Sequence, residues 1–316
     1  MTPSELHDSG TPATDGRFAP VLLDGIPLTG PALDRHAEHR ADSELLTRLL
    51  ADPATRVLDI ADGRAPARDP GRLAWRAPAP DDLEAPDAPD LVGAYLGADD
   101  HGRHHVALLN LTRPAPGDWL ALRAAGAQLT PSDGGALTAA VALANWHATH
   151  RFCPRCGAPT RPHNAGWTRR CTADGTEHFP RTDPAIIVAV LDPDDRLLLA
   201  RHPAWPVGRM SVLAGFVEPG ESLAQCVRRE VLEEVGVTLS HVRYLGDQPW
   251  PFPASLMLGF EARADGADLT LDPTEIAEAR WVTRDGYREL VASGELLAGT
   301  SLSISRRLVL RWLATG

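Results

Sequence analysis

The sequence predicts an α/β protein built from more than one domain. The chain has 316 residues, about twice the usual length of one domain. Strand-type and helix-type hydrophobic patterns alternate through its C-terminal half, whereas the N-terminal part shows short strands with one clear helix. We therefore expect an N-terminal α+β domain followed by an α/β domain.

Changes in composition divide the chain into four parts. Residues 1–20 are polar and rich in Pro and Gly, so we expect a disordered N-terminus. Residues 21–135 are expected to form the α+β domain, residues 136–180 a linker helix with a cysteine-rich segment, and residues 181–316 the α/β domain.

Local patterns place the elements within these parts. In the first domain we expect a helix at 44–50, strands at 56–60, 91–96 and 105–109, and a loop over 64–90. Further on we expect a helix at 137–150, strands at 185–191, 196–200, 256–262 and 279–282, and a closing amphipathic helix at 301–313. A helix at about 222–235 has Ser222 in position to cap it.

Composition excludes several classes of function. The formal net charge of −11 argues against sequence-independent binding to nucleic acid backbones. The chain contains no lysine, so P-loop and Schiff-base lysines are excluded. No apolar run reaches the ~20 residues of a membrane helix, and no secretory signal is visible at the N-terminus. We expect a cytoplasmic protein without a membrane partner.

Three glutamates on one predicted helix indicate a metal site. Glu230, Glu233 and Glu234 stand at i, i+3 and i+4, so they share one helix face. Like charges at this spacing repel, and a divalent cation among them reverses that effect. Clustered carboxylates suit Mg²⁺ or Mn²⁺. A solvated acidic helix is the alternative interpretation.

The spacing around these glutamates is more specific than the cluster. Gly215 is followed after five residues by Glu221 and after seven more by Arg229-Glu230, with Glu233, Glu234, Gly236 and Val237 completing the pattern. This run resembles the Nudix box, with every fixed position present. The resemblance implies an α/β/α sandwich and metal-dependent hydrolysis of a nucleoside diphosphate linked to another group.

Three of the four cysteines lie close together and predict a zinc-ribbon-like segment. Cys153-x-x-Cys156 provides half of a tetrahedral site and Cys171 a third ligand. Asp174 stands where a fourth cysteine would be, and His178 is the other candidate. Zinc bound by this set, a ribbon without zinc, and a redox-active Cys-x-x-Cys all remain open. Cys226 is expected to be a packed residue.

A proline-framed segment follows the box. Residues 248–255 read Gln-Pro-Trp-Pro-Phe-Pro-Ala-Ser, and the prolines hold Trp250 and Phe252 at fixed angles. Rigid aromatic rings suit stacking on a planar base. The alternative is a loop that packs its aromatic rings into the core.

Together, these motifs resemble the NADH pyrophosphatase branch of the Nudix family. The segment 248–255, the cysteine ribbon, Trp146-His147 and the stretch 179–184 all match that branch from about residue 140 onward. Asp247, where the branch has Ser, and the missing fourth cysteine depart from it. The resemblance implies cleavage of NADH or NAD⁺ to nicotinamide mononucleotide and AMP.

The resemblance also implies site residues and partners. The metal ligands are Glu230, Glu233, Glu234 and the Ala214 carbonyl, with Glu275 as a further ligand or base. Substrate contacts fall on Phe179, Gln248, Trp250, Phe252, Ser255 and Ser305. A homodimer is implied. Removal of the NAD cap from RNA, a zinc-ribbon RNA-binding protein with an inert box, and a broad ADP-ribose hydrolase are the alternatives.

Overall fold

The computed structural model describes residues 22–30, 33–69, 71–87 and 90–315. The expectation of a disordered segment at 1–20 lies outside these residues. None of the described helices combines the length and apolar character needed to cross a membrane.

The N-terminal domain is built on a five-stranded mixed sheet. Its strands follow the order β5-β6-β1-β2-β7, with β1 and β6 parallel and the other pairs antiparallel. The strands are β1 Arg56–Ala61, β2 Arg64–Ala65, β3 Ala67–Asp69, β4 Arg72–Leu73, β5 Leu91–Ala98, β6 His104–Asn110 and β7 Leu120–Ala121. The helices are α1 Leu45–Ala51, α2 Leu122–Ala125 and α3 Pro131–Thr149, with 3₁₀ turns at Ala37–Ala41, Pro80–Asp87 and Gly126–Gln128.

Helix α3 belongs to the core of this domain. Leu137, Ala140 and Val141 pack in one cluster with Leu58 and Ile60 of the sheet. The helix is apolar around most of its circumference, so it needs burial on several sides. The expected linker helix is therefore better described as part of the N-terminal domain.

The ribbon is a three-stranded antiparallel sheet fixed to the end of α3. Its strands β8 Thr160–His163, β9 Thr168–Cys171 and β10 Glu177–His178 follow the order β10-β9-β8. His147 of α3 is fully buried against it, with Nε2 2.9 Å from the Gly166 carbonyl and Nδ1 2.9 Å from Arg169 Nη1. Arg169 donates, so His147 accepts at Nδ1 and donates at Nε2. This chain of contacts sets the position of the ribbon.

The C-terminal domain is the expected α/β/α sandwich. Its strands follow the order β14-β15-β11-β12-β16, and β13 pairs with β11 beside β12. Helix α4 packs on one face, and α5 and α6 pack on the other. The elements are β11 Asp183–Leu191, β12 Leu197–Arg201, β13 Leu213–Phe216, α4 Leu223–Val235, β14 Leu239–Trp250, β15 Ser255–Ala264, β16 Glu278–Val282, α5 Arg284–Ser293 and α6 Ile304–Ala314.

The sequence patterns did not predict several of the observed helices and strands. The expected loop over 64–90 contains three short strands, and β13, β14 and α5 were not anticipated. Helix α5 has no fully buried residue, and its apolar side chains Tyr287, Leu290 and Val291 pack half-buried against the core. Strand β14 contains Pro249, which a sheet accommodates because β14 is an edge strand.

Candidate active site

Both ends of α4 are fixed by local hydrogen bonds. Ser222 accepts from the Gln225 backbone N–H at 3.3 Å, and the Gln225 side chain accepts from the Ser222 N–H at 2.9 Å. Gly236 ends the helix in the left-handed conformation, with φ of 72°. These caps hold the last turns of α4 in a defined position against β13.

Arg229 orients the carboxylates around it. Its guanidinium donates to both oxygens of Glu221, at 2.8 and 3.0 Å, and Nη1 donates to Glu230 at 2.9 Å and to Glu233 at 3.0 Å. The bond to Arg229 lowers the pKa of Glu221 to about 2, so this residue is an ionised loop anchor. Such bidentate pairs fix geometry as well as charge.

Gly215 leaves room for Glu230. A Cβ atom at position 215 would lie 1.9 Å from Glu230 Cδ and 2.2 Å from each carboxylate oxygen. Only a hydrogen atom fits there. The glycine of the box therefore allows the buried carboxylate of α4 to lie directly against β13.

Glu230 and Glu234 are the buried members of the cluster. Burial raises the pKa of Glu234 to about 8, with further contributions from Glu230, Glu275 and Glu233. Burial also raises the pKa of Glu230, and the charge of Glu275 adds to it. Glu234 Oε2 is buried and has no hydrogen-bond partner among the described residues. An unpartnered carboxylate oxygen among like charges fits a divalent cation.

Glu275 reaches this cluster through a turn attached to the end of α4. The Asp272 N–H donates to the Glu234 carbonyl at 3.0 Å, and the Glu275 N–H donates to the Asp272 carbonyl at 3.2 Å. Ala214 lies on β13, next to Gly215, and is exposed. The structure places Glu230, Glu233, Glu234 and Glu275 close enough for their charges to interact. No three of them have carboxylate oxygens that all lie within 4.8 Å of one another, and Ala214 lies on the adjoining strand.

Phe216 is a candidate site residue that the sequence interpretation missed. It ends β13 beside Gly215, its ring is 60% exposed, and its carbonyl accepts from Arg229 Nη2 at 3.0 Å. An aromatic ring at this place is free to stack on a planar group. The signal was its position within the box, directly after Gly215.

Four side chains of the ribbon converge as a zinc ligand set. The Sγ atoms of Cys153, Cys156 and Cys171 and a carboxylate oxygen of Asp174 all lie within 4.8 Å of one another. His178 is not a member of this group. Three thiolates and one carboxylate form a sound tetrahedral set for Zn²⁺.

Two matching turns explain why Asp174 takes the fourth position. In the first, Cys153 accepts from the Gly157 N–H and donates to the Ala158 carbonyl; in the second, Cys171 accepts from the Gly175 N–H and donates to the Thr176 carbonyl. Asp174 therefore occupies the place of Cys156 in the second turn. A bond from the Thr176 N–H is the chief cause that lowers the pKa of Asp174 to about 2, which keeps the carboxylate ionised.

Trp250 and Phe252 pack between domains. Their rings meet edge to face, with centroids 5.0 Å apart, and both lie against the N-terminal core. Arg123 covers Phe252 at 4.4 Å, and Asn145 of α3 donates to the Pro251 and Pro253 carbonyls. These contacts favour the packing interpretation over an open stacking platform. Pro249 lies within β14, and Pro251 and Pro253 lie in the tight turn that follows the strand, so the segment is not one extended stretch.

The Gln248 side chain is bonded to backbone groups from three parts of the chain. Its side chain is fully buried, donating to the Pro27 and Leu302 carbonyls and accepting from the Ile304 N–H, each at 2.8 Å. Because its amide bonds three backbone groups, these contacts indicate a structural role, and the expectation that Gln248 bonds a dinucleotide stays a prediction. It ties residues 22–28 and the start of α6 to β14.

The remaining expected contacts fall at separate places. Ser305 bonds Ser211 through their hydroxyls at 2.9 Å, at the start of α6. Ser255 opens β15, opposite Trp250 and Asp183. Phe179 is 67% exposed and lines a cavity between the ribbon and the N-terminal domain.

Comparison with known proteins defines the class of this chain. The sequence model of the NUDIX domain matches residues 181–296, and that of the NADH pyrophosphatase zinc ribbon domain matches residues 148–179. The chain belongs to the Nudix hydrolase family and is an enzyme of that family. The family expected from the box and the ribbon is confirmed.

The chain is also similar to individual proteins of this family. Over 246 residues the chain is 43% identical to the NAD-capped RNA hydrolase NudC of Mycobacterium bovis, a match that covers 73% of this chain and 79% of that protein. The protein of that name from Mycobacterium tuberculosis gives the same identity and coverage. Human NAD-capped RNA hydrolase NUDT12 is 37% identical over 198 residues, which are 59% of this chain and 43% of the human protein.

Proposed function

We propose that this enzyme hydrolyses the diphosphate of NADH and NAD⁺ to nicotinamide mononucleotide and AMP, and that the same site removes NAD caps from RNA. The observation that carries the proposal is the carboxylate cluster of a complete Nudix box, in which Glu230 and Glu234 are buried, joined to a ribbon of the NADH pyrophosphatase type. The names of the relatives add support for both substrates.

The residues of the cluster fit Mg²⁺ or Mn²⁺. Glu230, Glu233 and Glu234, with the Ala214 carbonyl, provide the hard oxygen ligands that these ions prefer. When bound, such ions neutralise diphosphate oxygens and lower the pKa of a coordinated water. Because Arg229 bonds Glu230 and Glu233, these two carboxylates are oriented before substrate arrives.

Two further residues complete the proposed site. Glu275 stands in the loop between β15 and β16, close enough for its charge to act on Glu230 and Glu234. We assign it to metal binding or to accepting the proton of the attacking water. Phe216 offers an exposed ring beside the cluster for a base or the nicotinamide.

The ribbon is proposed to hold one structural zinc ion. Its ligands are Cys153, Cys156, Cys171 and Asp174, whose donor atoms already converge. Zinc bound there would link the end of α3 to the approach to β11.

One substrate comparison tests the function. NADH, NAD⁺, ADP-ribose and NAD-capped RNA are supplied to the wild-type enzyme with Mg²⁺ or Mn²⁺, and the products are separated by chromatography. We expect nicotinamide mononucleotide and AMP from the free dinucleotides and 5′-monophosphate RNA from the capped RNA. A strong preference for ADP-ribose would contradict the proposal.

A homodimer in the cytoplasm is part of the proposal. Val207 and Leu297 are 85% and 52% exposed and come together where the Leu297 N–H donates to the Gly208 carbonyl. Exposed apolar side chains of this kind suit an interface. Light scattering on the purified protein measures the mass, and a monomer would refute this part.

A further inference from the structure

The outer face of the ribbon sheet carries two arginines side by side. Arg161 of β8 lies directly opposite Arg170 of β9, and Arg170 lies opposite Glu177 of β10. Residues paired in this way point to the same face of a sheet, and the next pair along the strands points to the other face. All three residues are exposed, whereas the next pair, Thr160 and Cys171, is buried. Arg161 and Arg170 therefore share the face of the ribbon that is turned to solvent.

No carboxylate neutralises this pair of arginines. The Glu177 carboxylate contacts His163 Nδ1 at 3.2 Å instead. Arg161 and Arg170 form no ion pair with any residue that the structure describes; the ion pairs of the ribbon and its flanks involve Arg151, His163 and Arg181. Like charges directly opposite each other on a sheet are destabilising. The pair thus presents two positive charges to which an anion from outside the chain can bind.

A third exposed arginine lies beside this pair. Arg155 of the first cysteine turn donates from Nη1 to Thr176 Oγ1 at 3.2 Å, and Arg170 donates from Nε to the Gly175 carbonyl at 3.3 Å. Arg155 and Arg170 therefore meet at the second cysteine turn. The carboxylate of that turn belongs to Asp174, which is one of the four proposed zinc ligands. Arg155, like the other two arginines, forms no ion pair with a described residue.

An exposed aromatic ring lies on the same face as the arginines. Phe152 is paired with Pro159, and the Pro159 carbonyl accepts from the Thr172 N–H, so the strand pairing continues past β8. Pro159 precedes Arg161 by two residues, which returns its side chain and that of Phe152 to the outer face. The Phe152 ring is 64% exposed, so core packing does not account for it. Arginines beside an exposed aromatic ring are the combination with which proteins bind single-stranded nucleic acid.

The ribbon leads directly into the candidate active site. Strand β10 ends at His178, and the Pro184 carbonyl accepts from the Val217 N–H at 3.0 Å, next to Phe216. The six residues from His178 to Pro184 span at most ~20 Å when extended. The outer face of the ribbon is therefore within reach of an RNA chain whose 5′ end lies at the glutamates.

We propose that the outer face of the ribbon, formed by Phe152, Arg155, Arg161 and Arg170, binds the single-stranded RNA chain that follows the NAD cap. The arginines donate to phosphate oxygens, and one base stacks on Phe152. This inference rests on the proposed function. The net charge of −11 does not oppose it, because residues 151–181 contain six arginines and two acidic residues, so the local charge differs from that of the whole chain.

A binding measurement tests this face independently of turnover. A short labelled single-stranded 5′-monophosphate RNA is titrated by fluorescence anisotropy at several salt concentrations. The double variant Arg161→Gln/Arg170→Gln should bind about tenfold more weakly, and the slope of log Kd against log salt should be smaller by about 1.4, since each phosphate contact on a single strand contributes about 0.7. Phe152→Ala should bind at least about fivefold more weakly with the slope unchanged, because stacking involves no ionic contact.

Two controls separate charge from structure. Arg161→Lys/Arg170→Lys keeps both charges and should keep the wild-type salt slope. Arg68→Gln removes an exposed arginine from β3, which lies by the other end of α3, because the Leu73 N–H of the adjoining β4 donates to Asp133. This variant should bind RNA as wild type does. All variants should match wild type in zinc content and Tm, since the replaced side chains are exposed.

Turnover then connects the face to the reaction. In Arg161→Gln/Arg170→Gln, kcat/KM for NAD-capped RNA should fall by the same factor as RNA affinity, whereas kcat/KM for NADH should stay within about twofold of wild type. Unchanged RNA binding in this variant and in Phe152→Ala would overturn the proposal, and so would equal losses for NADH and capped RNA. Failure of wild type to cleave either substrate would refute the proposed function, while the anisotropy series would still decide whether this face binds RNA.

Discussion

Replacing Gly215 by alanine tests whether the packing of β13 against α4 sets the active site. The new Cβ would lie 1.9 Å from Glu230 Cδ. Carbon atoms in contact are ~3.5–4.0 Å apart, so the carboxylate must move by about 1.5 Å. That displacement breaks the 2.9 Å bond from Arg229. A misplacement of about 1 Å in a catalytic group costs about 100-fold in rate.

We therefore expect kcat/KM for NADH to fall at least about 100-fold in Gly215→Ala, which corresponds to about 2.7 kcal/mol of transition-state stabilisation. Tm should change by only a few degrees, because the Glu230 side chain can rotate away from the new methyl group. Gly266→Ala is the control, since nothing lies within 4 Å of its Cβ position. Turnover of Gly215→Ala within threefold of wild type would refute the reasoning, because the carboxylate position would then be unimportant.

Four further predictions follow from the described contacts. Glu234→Gln should reduce NADH turnover by orders of magnitude while Tm is retained, and near wild-type turnover would contradict the metal assignment. Elemental analysis should find no zinc in the Asp174→Ala variant and one zinc ion in the His178→Gln variant. The reverse result would make His178, not Asp174, the fourth ligand. Because burial lowers the pKa of His147 to about 4, the unfolded chain takes up a proton first as pH falls below about 6.5. The free energy of unfolding should then drop by roughly 2 kcal/mol between pH 6.5 and 4.5, a dependence that denaturant titrations should find absent in His147→Gln. Trp250→Ala should lower the free energy of unfolding by about 2 kcal/mol or more. The variant should lose kcat/KM equally for NADH and for ADP-ribose. A loss confined to NADH would instead support stacking of Trp250 on the substrate.

The sequence by itself determined the chemistry that depends on local spacing. Glu230, Glu233 and Glu234 share a face because a helix repeats every 3.6 residues, and Ser222 and Gly236 mark the ends of that helix. The paired thiols of Cys153 and Cys156 follow from the same kind of short-range rule. Such features need no knowledge of distant contacts.

Only the tertiary structure decided roles that depend on partners far along the chain. The buried amide of Gln248 bonds the Leu302 carbonyl, 54 residues away, and no pattern near residue 248 predicts that contact. The choice of Asp174 over His178 needed the two matching turns of the ribbon. Burial and hydrogen-bond pairing are properties of the packed chain, and no local pattern specifies them.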